Sequence, residues 1–250
     1  MKTIMLFLIL VTVISCRTVQ PENENAHNTL TPKEEAAGWE LLFDGQSTAG
    51  WRSIGKDHFP EKGWTVKDGL LCAGDVSGEG TGGDIITDKE YGQFEFVIEW
   101  KMLTKGGNSG IKYFVKESLS KGGGGGLGLE YQILDDENFP WMQEGKMSPN
   151  DYHSLGALYV FFPPDVDKKV INPTGKWNRS RIVSKGLHVE HWLNGEKLVE
   201  YERGGKAYMN KLKESKFRDI ENFGQEDQGH ILLQDHGSRM QFRNIKIREF

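Results

Sequence analysis

The strongest constraint on this chain's fold is a two-residue alternation of apolar and polar side chains that recurs in short stretches along most of its length. In Phe94-Glu-Phe-Val-Ile-Glu-Trp-Lys-Met it is plainest: Phe94, Phe96, Ile98 and Trp100 share one face, opposed by Glu95, Val97, Glu99 and Lys101. A period of two belongs to strands, whose successive side chains point to opposite faces. The same reading predicts strands over 64–66, 70–73, 94–102, 110–115, 129–134, 157–162, 177–184, 187–193, 231–234 and 240–248. Lys67-Asp68-Gly69 and Asn194-Gly195 sit between neighbouring stretches, and Asp-Gly and Asn-Gly suit tight turns that need positive φ. Many short strands with such punctuation imply an all-β, two-sheet sandwich. With 250 residues, 37% of them hydrophobic, the chain suits one large domain of this kind. Only 206–219 reads as a helix, with Tyr208, Met209, Leu212 and Lys213 on neighbouring faces.

Residues 1–16 form a targeting segment outside the fold. Lys2 supplies a positive start, and the apolar run from Ile4 to Ile14 is too short to span a bilayer. It ends Val13-Ile14-Ser15-Cys16, which resembles a bacterial lipobox with Cys16 as the lipidated first residue; the alternative is an ordinary signal peptide or anchor with an incidental cysteine. An envelope protein held to the membrane through that lipid alone is expected. With Cys16 acylated, Cys72 has no cysteine left to pair with, so the fold must rely on its core. Residues 17–37 are polar, contain Pro21 and Pro32, and read as a flexible tether; the domain occupies 38–250.

Candidate chemistry begins at Gly128-Leu-Glu-Tyr-Gln-Ile-Leu-Asp-Asp, preceded by five glycines. Tyr131 and Ile133 share the apolar face, which leaves Glu130 and Gln132 on a face that is either plainly solvated or the floor of a cleft. A carboxylate and an amide placed so are suited to grip a sugar or move a proton. Gly106-Gly-Asn-Ser-Gly-Ile turns the chain into the strand at 110–115, and its Asn108 joins the candidates; the loop lacks the lysine and following helix of a phosphate loop. Gln234-Asp235-His236 stands at a strand end, where an Asp beside a His can set a tautomer or a pKa. His153 is a further candidate acid or base in a loop. Leu187, Val189, His191 and Leu193 alternate with His188, Glu190 and Trp192, so His191 is either a core histidine beneath the site or part of it. No His-x-His, His-Glu-x-x-His or Cys-x-x-Cys spacing occurs, and neither a metal nor a cofactor is expected. A net charge of -5 without a basic run makes nucleic acid an unsuitable partner.

Taken together, Trp39-Glu-Leu-Leu-Phe-Asp-Gly, Gly50-Trp51, Glu99-Trp-Lys, Gly106-Gly-Asn-Ser-Gly-Ile, Glu130-Tyr-Gln-Ile-Leu-Asp, Gly156-Ala-Leu-Tyr, Trp177-Asn, His191-Trp-Leu-Asn-Gly, Gln234-Asp-His-Gly and Phe242-Arg-Asn-Ile resemble the 3-keto-disaccharide hydrolase family. The pieces fall in the family's order and cover nearly everything from Trp39 onward. One departure stands out: after Leu-Asp the family often carries His-Pro-Asp-Ala, where this chain has Phe139-Pro140-Trp141-Met142. The resemblance implies a concanavalin-like jelly-roll sandwich that cleaves 3-keto-glycosides, by net hydrolysis through elimination across C1–C2 and hydration. The reading assigns Glu130 or His153 as base and Asp235–His236 as the source or orienter of the acid. Lys101, Glu99, Asn108, Gln132, His191 and Gln234 are the substrate-binding candidates, and Glu130, Gln132, Lys101, His153 and the Gln234-Asp235-His236 end are expected to converge on one concave face. Two other classes fit the same residues: a non-catalytic carbohydrate-binding module and a two-carboxylate glycosidase.

Overall fold

A computed structural model describes residues 27–74, 81–119 and 125–250. The expected signal segment with Cys16, the first part of the tether and most of the five-glycine run lie outside the described residues.

The fold is the expected all-β jelly-roll sandwich, built from two antiparallel sheets. The larger sheet centres on β6 (Phe94–Met102), whose inward residues Phe94, Phe96, Ile98, Trp100 and Met102 are almost wholly excluded from water. Burying such side chains stabilises the fold by roughly 1.5–3 kcal/mol each. On one side β6 pairs with β9 (Asn178–Lys185), followed by β10 (His188–Leu193) and β11 (Glu196–Glu202). On the other it pairs with β13 (Met240–Glu249), which adjoins β4 (Leu70–Ala73), then β3 (Trp64–Lys67), while β1 (Glu40–Leu41) adds to the far end of β13. Both Asp-Gly and Asn-Gly turns are hairpins as expected: Asp68 and Gly69 take φ of 52° and 74°, Asn194 and Gly195 take 50° and 96°.

The smaller sheet runs β2 (Trp51–Ser53), β5 (Ile85–Tyr91), β12 (Gly229–Leu233), β7 (Asn108–Val115) and β8 (Leu129–Leu134). Its inward residues, Tyr131 and Ile133 among them, meet those of the larger sheet in one hydrophobic core. β7 and β8 are in register with Gly110 opposite Gln132 and Lys112 opposite Glu130, so these four share the sheet's outer face.

Three expectations are corrected. The stretch 157–162 is not a strand: Leu158 makes isolated bridges to Tyr131 and Phe162, and Val160, at φ 71°, turns the chain away. The helix expected over 206–219 covers only Lys206–Glu214 and stops where Ser215 returns to extended geometry and its hydroxyl donates to the Leu212 carbonyl. Tyr208 and Leu212 anchor it, and Tyr208, Phe217 and Phe223 stack on Phe161 at 5.1–6.2 Å. Finally, the tether is docked from residue 28 on. Asn28 exchanges reciprocal hydrogen bonds with Asn244 at 2.7 and 2.8 Å and donates to the Gly69 carbonyl. A short helix, Pro32–Ala36, follows under a Thr31/Glu34 capping box, and Lys246 pairs with Glu34.

Candidate active site

The outer face of the smaller sheet carries a cleft of about 180 Å³. Its floor comes from three adjacent strands: Glu130 and Gln132 from β8, Asn108 and Lys112 from β7, and Gln234 just past β12. Gln132 is buried and donates through Nε2 to Asn108 Oδ1 at 3.0 Å. The Gln234 amide N–H donates to the Gly110 carbonyl at 3.0 Å, which sets its side chain beside the other two. Its Oε1 is buried and has no donor among the described residues. An acceptor left so is costly unless something occupies the cleft to donate to it.

Glu130 dominates the electrostatics. Burial pushes its carboxyl up to about 7, with Lys112 and Lys216 opposing the rise and Asp84 adding to it. No group among the described residues donates a hydrogen bond to that carboxylate. It lies flat over Gly110, where a Cβ would come within 2.6 Å of Oε1. Lys112 is itself shared: its Nζ donates to the Gly126 carbonyl at 3.1 Å and lies 3.8 Å from the buried Asp84 carboxylate. Burial raises Asp84 as well, against the pull of Lys112. A carboxyl poised near neutrality and free of donors is in the state a proton-transfer group needs.

The rim is formed by Tyr159, Lys216, Phe217 and the exposed His236. The Tyr159 amide donates to the Glu130 carbonyl at 3.0 Å, so the chain past Leu158 runs alongside β8 and sets Tyr159 next to Glu130. Lys216 Nζ donates to the Tyr159 hydroxyl at 3.3 Å.

Five expected residues therefore converge: Glu130, Gln132, Asn108, Gln234 and His236. The others do not. Asp235 is a brace, since its two oxygens accept the Gly82 and Gly237 amides at 2.7 and 3.0 Å while its own amide donates to Asp84. It therefore does not orient His236. His153 stands behind Tyr159, bonded to Asp151 at 2.7 Å. Glu99 and Lys101 are on the outer face of the other sheet, Glu99 paired with Arg243 at 2.7 Å and Lys101 over the Trp177 ring at 4.7 Å. His191 is wholly buried in the core, where burial lowers its pKa to about 4. Neutral there, it donates through Nδ1 to the Gly156 carbonyl and accepts the Tyr113 hydroxyl at 2.8 Å. Lys112, Asp84, Tyr159, Lys216 and Phe217 were not among the expected residues. Lys112 was legible, since it shares the parity of Gly110 opposite Ile111 and Tyr113; Tyr159 and Lys216 lie where the chain leaves regular structure.

Two other features are already satisfied. A second cleft, between Trp100, Leu134 and Ile171, contains Asp135 and Asp136. Asp135 accepts from Gly106, Asn138 and Thr174, while Asp136 holds the buried Lys169 at 2.8 Å and the Leu155 amide. His188, Glu190 and Glu200 bring possible metal-ligand atoms within 4.8 Å of one another on the larger sheet. Lys197 already places an ammonium on both carboxylates there.

A family model described as a 3-keto-alpha-glucoside-1,2-lyase-like domain matches residues 38–248. A 3-keto-disaccharide hydrolase of Bacteroides thetaiotaomicron is 34% identical over 236 residues, covering 86% of this chain and 79% of that protein. A crystal structure of a candidate glycosyl hydrolase from Parabacteroides distasonis ATCC 8503 is 36% identical, with a TM-score of 0.78 over 90% of this chain and 100% of that one. A second from the same organism is 28% identical, with a TM-score of 0.62 over 85% and 99%. With a match that spans both sheets and every strand of the cleft, the chain belongs to the 3-keto-alpha-glucoside-1,2-lyase-like family.

Proposed function

We infer that this chain cleaves the glycosidic bond of 3-keto-glycosides, with Glu130 as the base that removes the proton from C2. One observation carries the reading: a donor-free carboxylate raised to about 7 at the floor of a cleft lined by three side-chain amides. A ketone at C3 acidifies the C2 proton, because the electron pair left behind delocalises onto the ketone oxygen. Glu130 takes that proton, the C1–O bond breaks, and the aglycone oxygen leaves with a proton. Water then adds at C1 and a proton returns to C2, so the net reaction is hydrolysis. Asn108, Gln132 and Gln234 supply the polar contacts for ring hydroxyls and the C3 oxygen, and the unpartnered Gln234 Oε1 accepts from a hydroxyl. The family name and the name of the Bacteroides thetaiotaomicron relative support the same substrate class.

A two-carboxylate glycosidase would need a second accessible carboxylate. Asp84 is buried, paired with Lys112, and packed so closely that a Cβ on Gly125 would fall 2.4 Å from its Oδ2. The test is turnover of methyl glucoside against methyl 3-keto-glucoside. Cleavage of only the keto sugar is expected; cleavage of the plain glucoside alone would favour the glycosidase, and cleavage of neither a binding module.

A further inference from the structure

We propose that Tyr159 is the catalytic acid that protonates the departing glycosidic oxygen, with Lys216 and His153 as its positioning residues. The proposal rests on the 3-keto-glycoside reading above and completes it, since the base alone leaves the aglycone without a proton.

The Tyr159 amide is bonded to the carbonyl of Glu130, and Tyr131 bridges Leu158 one position along, so Tyr159 is the cross-strand neighbour of Glu130 beyond the open edge of β8. Paired antiparallel neighbours present their side chains to the same face, and both residues line the one cleft. A base for C2 and an acid for the oxygen on C1 must likewise stand side by side, because they serve adjacent atoms. Backbone strain fixes this arrangement: the next residue, Val160, is β-branched yet adopts φ 71°, while its amide is bonded to the Tyr152 carbonyl at 3.0 Å. Such a conformation at a valine persists only where its surroundings impose it, and strain of this kind collects at working sites.

The ring is then clamped. His153, held by Asp151, meets it edge-on at 5.1 Å between ring centres, and the Lys216 ammonium stands 4.6 Å from the ring centre while donating to its hydroxyl. Lys216 has no carboxylate partner among the described residues. Its charge therefore stabilises the negative charge that builds on the phenol oxygen as the proton leaves. His236, the other titratable group on the rim, is exposed and lacks any orienting bond from Asp235.

The step balances without a redox partner. Glu130 removes the C2 proton, the electron pair forms the C1=C2 bond by way of the enolate, and the C1–O bond breaks. The aglycone oxygen takes the Tyr159 proton and leaves a phenolate beside Lys216. In hydration the phenolate takes a proton from the water that adds at C1, and Glu130 returns its proton to C2.

The test uses two 3-keto-glucosides, one with a methyl and one with a p-nitrophenyl aglycone, since nitrophenolate leaves without being protonated. Tyr159→Phe should lower kcat/KM on the methyl substrate by roughly 10²-fold or more and leave the nitrophenyl substrate within a fewfold of wild type. It should also still exchange the C2 proton of the methyl substrate with solvent. Lys216→Met should show the same split to a smaller degree, and Lys216→Arg should restore the methyl substrate. Equal losses on both aglycones, or no loss on either, would overturn the role of Tyr159. Wild-type protein that turns over neither 3-keto substrate would instead remove the functional reading, and this role with it. If Tyr159→Phe fails to fold, the split in Lys216→Met decides.

Discussion

Gly110→Ala separates the cleft's chemistry from the fold's stability. A methyl group at Gly110 would point to the outer face and fall 2.6 Å from Glu130 Oε1, 3.1 Å from Cδ and 3.2 Å from Cγ. The obstructed atoms are the end of a flexible side chain, so the carboxylate swings away while the β7–β8 register stays. Gly110 is not in the left-handed region, and alanine there restricts the unfolded chain, so stability should hold or rise by about 0.4–1 kcal/mol. Moving the carboxylate by an ångström or so should cost about 10²-fold in kcat on a 3-keto-glucoside, or about 2.7 kcal/mol at the barrier. Urea unfolding and steady-state kinetics on one preparation provide the assay. Activity within a fewfold of wild type would mean that the position of Glu130 does not matter; a loss of stability matching the loss of activity would make Gly110 merely structural.

Three further outcomes are expected. Glu130 sits at about 7 in the fold against 4.5 ordinarily, so its protonated form is favoured by folding; its contribution is fully present below about pH 4.5 and lost as pH rises to about 7. Glu130→Gln stays neutral, so by urea unfolding it should gain on wild type across that window, by up to about 3 kcal/mol less what water at the cleft mouth screens, and an unchanged difference between pH 4 and 8 would contradict the burial argument. Lys101→Ala should leave the kinetics on a 3-keto-glucoside unchanged and cost at most about 0.5–1 kcal/mol in stability from the lost Trp177 contact, and a raised KM would return Lys101 to the site. Cys16→Ala should release the protein from membranes, as fractionation with lipid labelling would show; retained attachment would refute the lipid anchor.

Alternation was enough to read the fold and half of the cleft. It divided Glu130 and Gln132 from Tyr131 and Ile133 correctly, because a strand's parity is local. It failed for Lys101 and Glu99 for an equally physical reason. Parity tells that Lys101 points away from Trp100, but a sandwich has two outer faces, and only pairing shows that β6 belongs to the larger sheet. For His191 the parity was informative, since Val189 and Leu193 lie on the same side as its core position, although Leu187, exposed in the turn before β10, does not. β5 is not legible from alternation because its apolar Ile85-Ile86 gives way to Asp88-Lys89-Glu90. Tyr159 was hidden by Val160, whose left-handed backbone breaks the strand that β-branched and aromatic neighbours suggest. Lys216 reaches the rim only through the aromatic stack of Phe161, Tyr208, Phe217 and Phe223, a contact between segments far apart in sequence.

Cleavage as proposed depends on removal of the C2 proton of a 3-keto-glycoside by Glu130. Proton NMR of methyl 3-keto-glucoside in D₂O measures it directly, by following the C2 signal with wild-type and Glu130→Gln protein. Wild type should wash out that signal and yield product deuterated at C2, while the folded variant should be slower by roughly 10²-fold or more. Wild-type exchange rates in folded Glu130→Gln protein would contradict that role for Glu130.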